Sequence, residues 1–466
     1  MSKYKTLIKD FFIFALGSVG SKLVVFFLVP FYTNILSKEE YGTSDLVFTF
    51  TELLMPVVCL AVYNAILRFG LQNKDHPENT LYCGIVTWAA GCVVSALLMP
   101  LLNLYQPIAE WKWYLYAHVN SSILLTISQN YLKVKSKNIR YSLICILQTA
   151  LLAGLNILML AVIPMGITGY LLSNTLATFI AAVVAVLAGG IPRDLKKARF
   201  DSKLLKAMLA FSAPLILNNV SWWVIHSSNK IMIEAFVGVA ALGLFTVATR
   251  IPSLINVAVT IFQQSWGISS IVEMDSSNDT SFYDTVFQCY SVCVFFACLC
   301  LNTVIKPFMR IYVAAEYFES WTLVPLLVVS AAAFSSIAAF YGSMYEALKK
   351  SFNNMLTTLL AAVMNVFIGY LLIPHIGIMG AVIGTLASYC VLAITRMLDV
   401  NRHVPIQVGY GTYTINCLLA IVHAILVMHD AYILLSSVVI IALFLFVNRK
   451  FLGAIWDKIM SIIKKR

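Results

Sequence analysis

A few charged side chains stand inside stretches that are otherwise apolar: Lys22, Glu52, Lys230, Glu234 and Arg250. A charge held among hydrocarbon is costly, so such a residue marks a substrate, an ion path or a partner charge. Lys22 sits about halfway along residues 11–36, is the deepest cation, and is the candidate best placed to contact a substrate. Polar residues recur around these charges at helical spacing. On one stretch, Asp45, Thr49, Glu52 and Tyr63 share a face. On another, Asn219, Trp222, His226, Lys230 and Glu234 do so, and Arg250 adjoins a stripe of Ser253, Asn256, Thr260 and Gln263. Asn, His and an indole face offer hydrogen bonds and a stacking surface to a sugar. Plainer readings stand beside these. Lys230 and Glu234, four apart, can pair with each other. Glu52 can neutralise Lys22 or Arg250, and Trp222 with Trp223 can be packing.

The elements that must position these residues are membrane helices. Hydrophobic residues make up 60% of the chain and charged ones 11%, against the roughly one quarter charged that a soluble domain carries. Apolar runs of about twenty residues each span a bilayer. About fourteen are read here: 11–36, 43–66, 81–104, 113–132, 141–163, 167–189, 207–235, 240–264, 285–305, 321–347, 353–373, 378–398, 408–428 and 431–448. The first is too long for the apolar part of a signal peptide and is read as a retained helix. Pro30, Pro56, Pro214, Pro252 and Pro325 fall within runs and predict kinks, static or gating.

Net charge is +11. Positive loops on the cytoplasmic side account for it better than nucleic acid does. Lys and Arg concentrate in alternate connections and in the tail, which places both termini in the cytoplasm. The connections are too short to house a catalytic domain. No phosphate-binding glycine loop for ATP, no H-E-x-x-H and no G-x-S-x-G is present, so the chain does not read as an enzyme. Cys289, Cys293, Cys298 and Cys300 lack a matching His or Cys pair elsewhere and read as small packing residues rather than metal ligands.

The chain repeats itself. Pro164 to Gly169 with Thr175-Leu176-Ala177 matches Pro374 to Gly380 with Thr385-Leu386-Ala387. Glu40-Tyr41-Gly42 likewise matches Ala241-Leu242-Gly243. The unit is six helices. The expected fold is all-α and polytopic, with two six-helix lobes related by a pseudo-twofold axis along the membrane normal, plus two C-terminal helices. The lobes are read as 1–206 and 207–400, with 401–466 holding the last two helices and a basic cytoplasmic tail. Such repeats build a central site in transporters.

Residues carrying a family resemblance now stand in order: Tyr32 to Gly42; Asn229-Lys230-Ile231-Met232-Ile233; Ala241 to Pro252; Tyr341 to Lys350; and the Pro374 to Gly380 turn. Together they make the chain resemble the polysaccharide-transporter (Wzx-type flippase) family of the multidrug/oligosaccharidyl-lipid/polysaccharide exporter superfamily. The resemblance implies a flippase in the bacterial inner membrane. Its substrate would be undecaprenyl-pyrophosphate-linked oligosaccharide for O-antigen, capsule or exopolysaccharide synthesis, moved by alternating access. It implies membrane lipids, a polysaccharide polymerase and a chain-length regulator as partners, and no nucleic acid. By analogy with lipid II flippases, Lys22 and Arg250 would bind the pyrophosphate, with Glu52, Asn219, Trp222, His226, Lys230 and Asn256 lining the cavity. No cofactor is implied; a coupling proton or sodium ion is not visible in the sequence. Members often carry Asp where this chain has Asn229, which weakens an ion-coupling role there. The alternatives are a cation-coupled multidrug or metabolite antiporter, for which Glu52 is the sole deep carboxylate, and a non-transporting scaffold, which leaves the buried charges without a use.

Overall fold

The computed structural model describes residue 20 and residues 24–72, 75–276, 281–348, 350–407, 409–449 and 451–453. Lys22, the basic N-terminal segment and the basic residues of the tail from Lys458 onward lie outside the described residues.

The described chain is helical. In order come α1 (Val24–Ile35), α2 (Lys38–Val58), α3 (Val62–Gln72), α4 (Pro77–Leu98), the short α5 (Gln106–Ala109), α6 (Lys112–Val134), α7 (Asn138–Asn156), α8 (Gly166–Gly189), the short α9 (Ile191–Leu195) and α10 (Ser202–Phe236). Then follow α11 (Val239–Arg250), α12 (Pro252–Ser276), α13 (Ser281–Tyr312), α14 (Val324–Val329), α15 (Ser336–Ala347), α16 (Ser351–Ile376), α17 (Ile378–Asn401), α18 (Tyr410–Met428) and α19 (Ile433–Val447). Among the described residues, nine helices are long and apolar enough to cross a membrane, or eleven if each of two bent pairs is one span. The other three expected spans fall on α1 and α19, which are short, and on α6, which buries a polar face of Asn120, Ser121, Ser128 and Asn130. The chain is a multi-pass membrane protein.

The chain divides into two compact units, Met1–Ser227 and Ser228–Arg466. The division falls inside α10. In the first unit α8 packs on α6 and α7, around Leu125, Leu132, Ile144, Ala181, Ala182 and Ala185. In the second, α16 and α17 form a hairpin and α13 carries α18 and α19. An aromatic stack fills the second unit, with Phe262 at 4.1 Å from Tyr290 and Trp266 at 4.5 Å from Phe340, centroid to centroid.

The prolines act unequally. The run 43–66 breaks just after Pro56: α2 and α3 meet at 49°, through Leu60 and Ala61 in the left-handed region (φ 50° and 49°). The run 240–264 breaks at 43° immediately before Pro252. Pro214, by contrast, lies inside α10, which runs on through it. Pro325 starts α14 rather than bending it, and the irregularity of that span is a π-turn at Ser330–Ser335.

The two repeated turns have one construction. Gly166 and Gly377 both take positive φ (56° and 60°), and three residues later Gly169 and Gly380 sit where their helix crosses a neighbouring backbone. A Cβ on Gly169 would lie 2.6 Å from the Met159 carbonyl oxygen, and one on Gly380 2.6 Å from Leu372 carbonyl carbon. Glycine is required at all four positions for steric reasons.

Candidate functional site

In the first unit the candidate residues gather where α10 meets α2 and α3. The Asn219 amide donates to the Tyr63 hydroxyl (3.3 Å), the Trp223 indole N–H donates to the Thr49 carbonyl (2.7 Å), and the Ser212 hydroxyl donates to the Ala61 carbonyl (3.3 Å). Trp223 thus fastens α10 to α2. Its neighbour Trp222 points elsewhere, stacked on His226 with centroids 5.7 Å apart and planes at 13°. Asn219 and Trp222 are half-buried and His226 is exposed, as a shared face requires. Glu52, three residues past the Thr49 anchor, is exposed, while Asp45 and Thr49 on the same helix are buried. Tyr63 lies beyond the break, so the expected continuous stripe from Asp45 to Tyr63 is in fact two segments joined by the turn at residues 59–61.

In the second unit Arg250 is the last residue of α11, half-buried, at the break before Pro252. Asn256 is exposed on α12 and Lys230 half-buried near the end of α10. Gln263 reaches the Ala339 carbonyl (3.2 Å) and so serves packing. Among the described residues no three His, Cys, Asp or Glu side chains converge as a metal site.

The residues that carried the resemblance also have structural duties. Glu40 accepts from the backbone N–H of Ser37 (2.9 Å), closing a capping box on α2, and from Ile167 N–H (3.2 Å) at the start of α8. One carboxylate therefore caps two helix N-termini. Tyr32, Tyr41 and Tyr170 cluster beside it, with Tyr32 and Tyr170 centroids 4.8 Å apart. The Asn229 amide nitrogen lies 2.8 Å from the Thr385 hydroxyl and 3.2 Å from both Asn365 Oδ1 and the Ala381 carbonyl, tying α10 to α16 and α17.

One cation that the sequence reading gave no role in the site is Arg396, buried within α17 and 3% exposed. It donates to the Ala338 carbonyl (2.7 Å), Asn354 Oδ1 (2.6 Å), Thr358 (2.9 Å) and Thr357 (3.3 Å). Gly342 makes room, since a Cβ there would lie 2.6 Å from the guanidinium. Tyr345, from the same motif, donates to Asp399 (2.8 Å). The signal was in the sequence: Arg396 is a cation inside the apolar run 378–398.

The sequence profile of the family described as polysaccharide biosynthesis protein matches residues 7–266, more than half of the chain. The chain belongs to that family. Protein 1 of the Lsg locus of Haemophilus influenzae is 25% identical over 264 residues, covering 54% of this chain and 62% of that relative. The chain thus spans less than two thirds of its curated relative. Among solved structures, the lipid II flippase MurJ in an inward closed conformation is similar in fold, with a TM-score of 0.72 at 10% identity over 95% of this chain and 99% of that one. An inward-facing multidrug resistance transporter of the MATE family, in the MOP superfamily, gives 0.69 at 16% identity over 83% and 94%. The fold is thus similar to those of MurJ and of MATE transporters, an all-helical membrane fold as expected from the sequence.

Proposed function

We propose that this membrane transporter is a flippase that moves undecaprenyl-pyrophosphate-linked oligosaccharide from the cytoplasmic to the periplasmic leaflet of a bacterial inner membrane, for surface polysaccharide synthesis. The observation that carries the reading is the family match over residues 7–266. The MurJ-like fold is consistent with a lipid-linked substrate.

The residues support particular roles. Arg250 stands where a membrane helix breaks, and a broken helix presents unpaired backbone groups and charges to a polar ligand. It would meet the pyrophosphate, as would Lys22. The stacked pair of Trp222 and His226, with Asn219, Glu52, Lys230 and Asn256, would meet the sugars. A polar head cannot cross about 30 Å of hydrocarbon unaided. Carrying an anion outward runs with an inside-negative potential, worth about 2.3 kcal/mol per charge per 100 mV, so no ATP motor is needed. Both termini would be cytoplasmic, and reporter fusions after Lys206 and after Arg466 would both read cytoplasmic.

The test is deletion of the gene followed by complementation. Loss of the protein leaves the lipid-linked oligosaccharide on the cytoplasmic leaflet and abolishes surface polysaccharide. Arg250→Ala, present in the membrane at normal abundance, does the same. Full export by Arg250→Ala and Lys22→Ala together would remove these residues from the substrate. Normal polysaccharide with altered drug tolerance would favour the antiporter, whose cation site would have to include Glu52.

A further inference from the structure

The last two helices fall outside the six-helix repeat, and they are joined by polar pairs in an otherwise apolar hairpin. His423 lies 2.8 Å from the Ser437 hydroxyl. Asn416 and Asn448 exchange amide hydrogen bonds of 3.3 and 3.0 Å, and each is 3% exposed. The second pair lies on the wall of a cavity. Between α13, α18 and α19 is a space of about 170 Å³ lined by Gln288, Ser291, Thr412, Tyr413, Asn416 and Asn448, with apolar Val292 and Val447 completing the wall. It shares Gln288 and Gly409 with an outer recess of about 550 Å³, formed with Asn401, Gln407 and Tyr410.

Three features define what this space can hold. Its polar side-chain lining is carboxamide and hydroxyl, with no Lys, Arg, Asp or Glu among the described residues of either part. It is not needed for the protein's own hydrogen bonding. Among the described residues the Gln288 carboxamide and the Thr412 hydroxyl make none, and the Asn448 amide is already satisfied by Asn416 and by the Phe444 carbonyl at 2.8 Å. Tyr413 and Tyr410 add aromatic surface. A polar void left beside hydrocarbon has no compensating partner, so it is filled by water or by a ligand with several hydroxyls. Neutral donors and acceptors beside aromatic rings match a polyol and leave a phosphate without a counter-charge.

We propose that this pocket binds a neutral polyol group: the glycerol or sugar head of a membrane lipid at that end of the bundle, or a free sugar. Position favours the lipid. The pocket sits at the N-terminal end of α18 and the C-terminal end of α19, where Arg449 follows the lining Asn448 in sequence, so that a lipid phosphate can remain outside while its hydroxyls enter. This inference does not require that the chain flip anything, so it stands or falls apart from the proposed transport.

The experiment is native mass spectrometry of the full chain in detergent, with phosphatidylglycerol, phosphatidylethanolamine or methyl glucoside added. Wild type retains phosphatidylglycerol over phosphatidylethanolamine. Gln288→Leu and Thr412→Val, which remove groups the fold does not use, each lower that preference about fivefold, the loss of one hydrogen bond. Displacement of the lipid by methyl glucoside at the same residues assigns the same polyol chemistry to a free sugar. Equal retention of the two lipids without glucoside binding, or a preference unchanged in both variants, overturns the proposal.

Discussion

Glu40→Ala removes one side chain and uncaps two helices. In the wild type its carboxylate accepts from Ser37 N–H at 2.9 Å and from Ile167 N–H at 3.2 Å. Hydrogen bonds to a charged group contribute about 1.5–3 kcal/mol each when partly buried, and an N-terminal carboxylate adds dipole stabilisation of about 0.3–1 kcal/mol. The Ser37 hydroxyl still accepts from the residue-40 N–H in the variant, so part of the α2 cap survives. The net loss is then about 2–4 kcal/mol. For a unit the size of Met1–Ser227, each kcal/mol moves the midpoint by about 2–4 °C, so a fall of roughly 5–15 °C is expected. The assay is thermal unfolding of detergent-purified protein followed by fluorescence size-exclusion. Glu40→Gln keeps one acceptor and should lose about half as much. Gly166→Ala forces a Cβ to 2.7 Å from Glu40 Oε1 and strains a left-handed residue, and its cost should not add to that of Glu40→Ala. A midpoint within about one degree of wild type for Glu40→Ala, or full additivity of the pair, would refute the shared cap.

Leu60→Gly should raise stability by about 0.5–1 kcal/mol, because it relieves a left-handed backbone at a side chain that is 43% exposed; Ala61→Gly should be near neutral, since its methyl is fully buried and its loss offsets the relief. Equal gains at both positions in the unfolding assay would contradict that account. Arg396→Ala should cost about 3 kcal/mol or more by leaving buried acceptors on α15 and α16 unmet, and Gly342→Ala should lower the melting midpoint through the same contact, with the double variant less than additive. Asp194 accepts from Tyr131 (2.8 Å) and pairs with Lys135. Burial pushes its carboxyl up, but the Lys135 and Tyr131 hydrogen bonds and the Lys135 and Lys137 charges outweigh that and hold it below the ordinary carboxylate range. Its stabilisation is therefore present above that range and lost as pH falls through the lowered value; Asp194→Asn should flatten the acid limb of the stability curve, and an unchanged limb would assign that limb to other carboxylates.

How much of this was legible in the sequence depended on how local the cause was. The repeated turns were readable because a left-handed glycine and a crossing glycine are fixed three residues apart, and the spacing survives in both halves. The stacked Trp222 and His226 were readable because four residues on a helix return to one face. The role of Arg396 was not legible because its acceptors come from helices remote in sequence: Ala338 on α15 and Asn354, Thr357 and Thr358 on α16. Glu40 was noticed as part of a repeat match, yet its capping of α8, more than a hundred residues away, has no local signature. Proline was an uneven guide. Pro56 and Pro252 adjoin breaks, whereas Pro214 lies inside α10, which runs on through it.

The two broken helices show how a repeat can be retained in outline and altered in chemistry. They occupy matched places, since Gly42 and Gly243 align. Their breaks do not. In the first unit the break begins at Cys59, 17 residues past Gly42 (59 − 42); in the second it falls at Ile251, 8 residues past Gly243 (251 − 243). The causes differ as well. The first is a left-handed turn through Leu60 and Ala61, and the Ala61 carbonyl accepts from both Asn64 N–H (3.1 Å) and the Ser212 hydroxyl (3.3 Å). The second is set by Pro252, which cannot donate to the preceding turn, and the residue at the end of that turn is Arg250. Backbone irregularity inside a membrane persists only where it is satisfied by protein or faces water. Both breaks thus have carbonyls met within the protein, Ala61 by Asn64 and Ser212 and Arg250 by the Ser253 hydroxyl, and they differ in that the second ends on a cation.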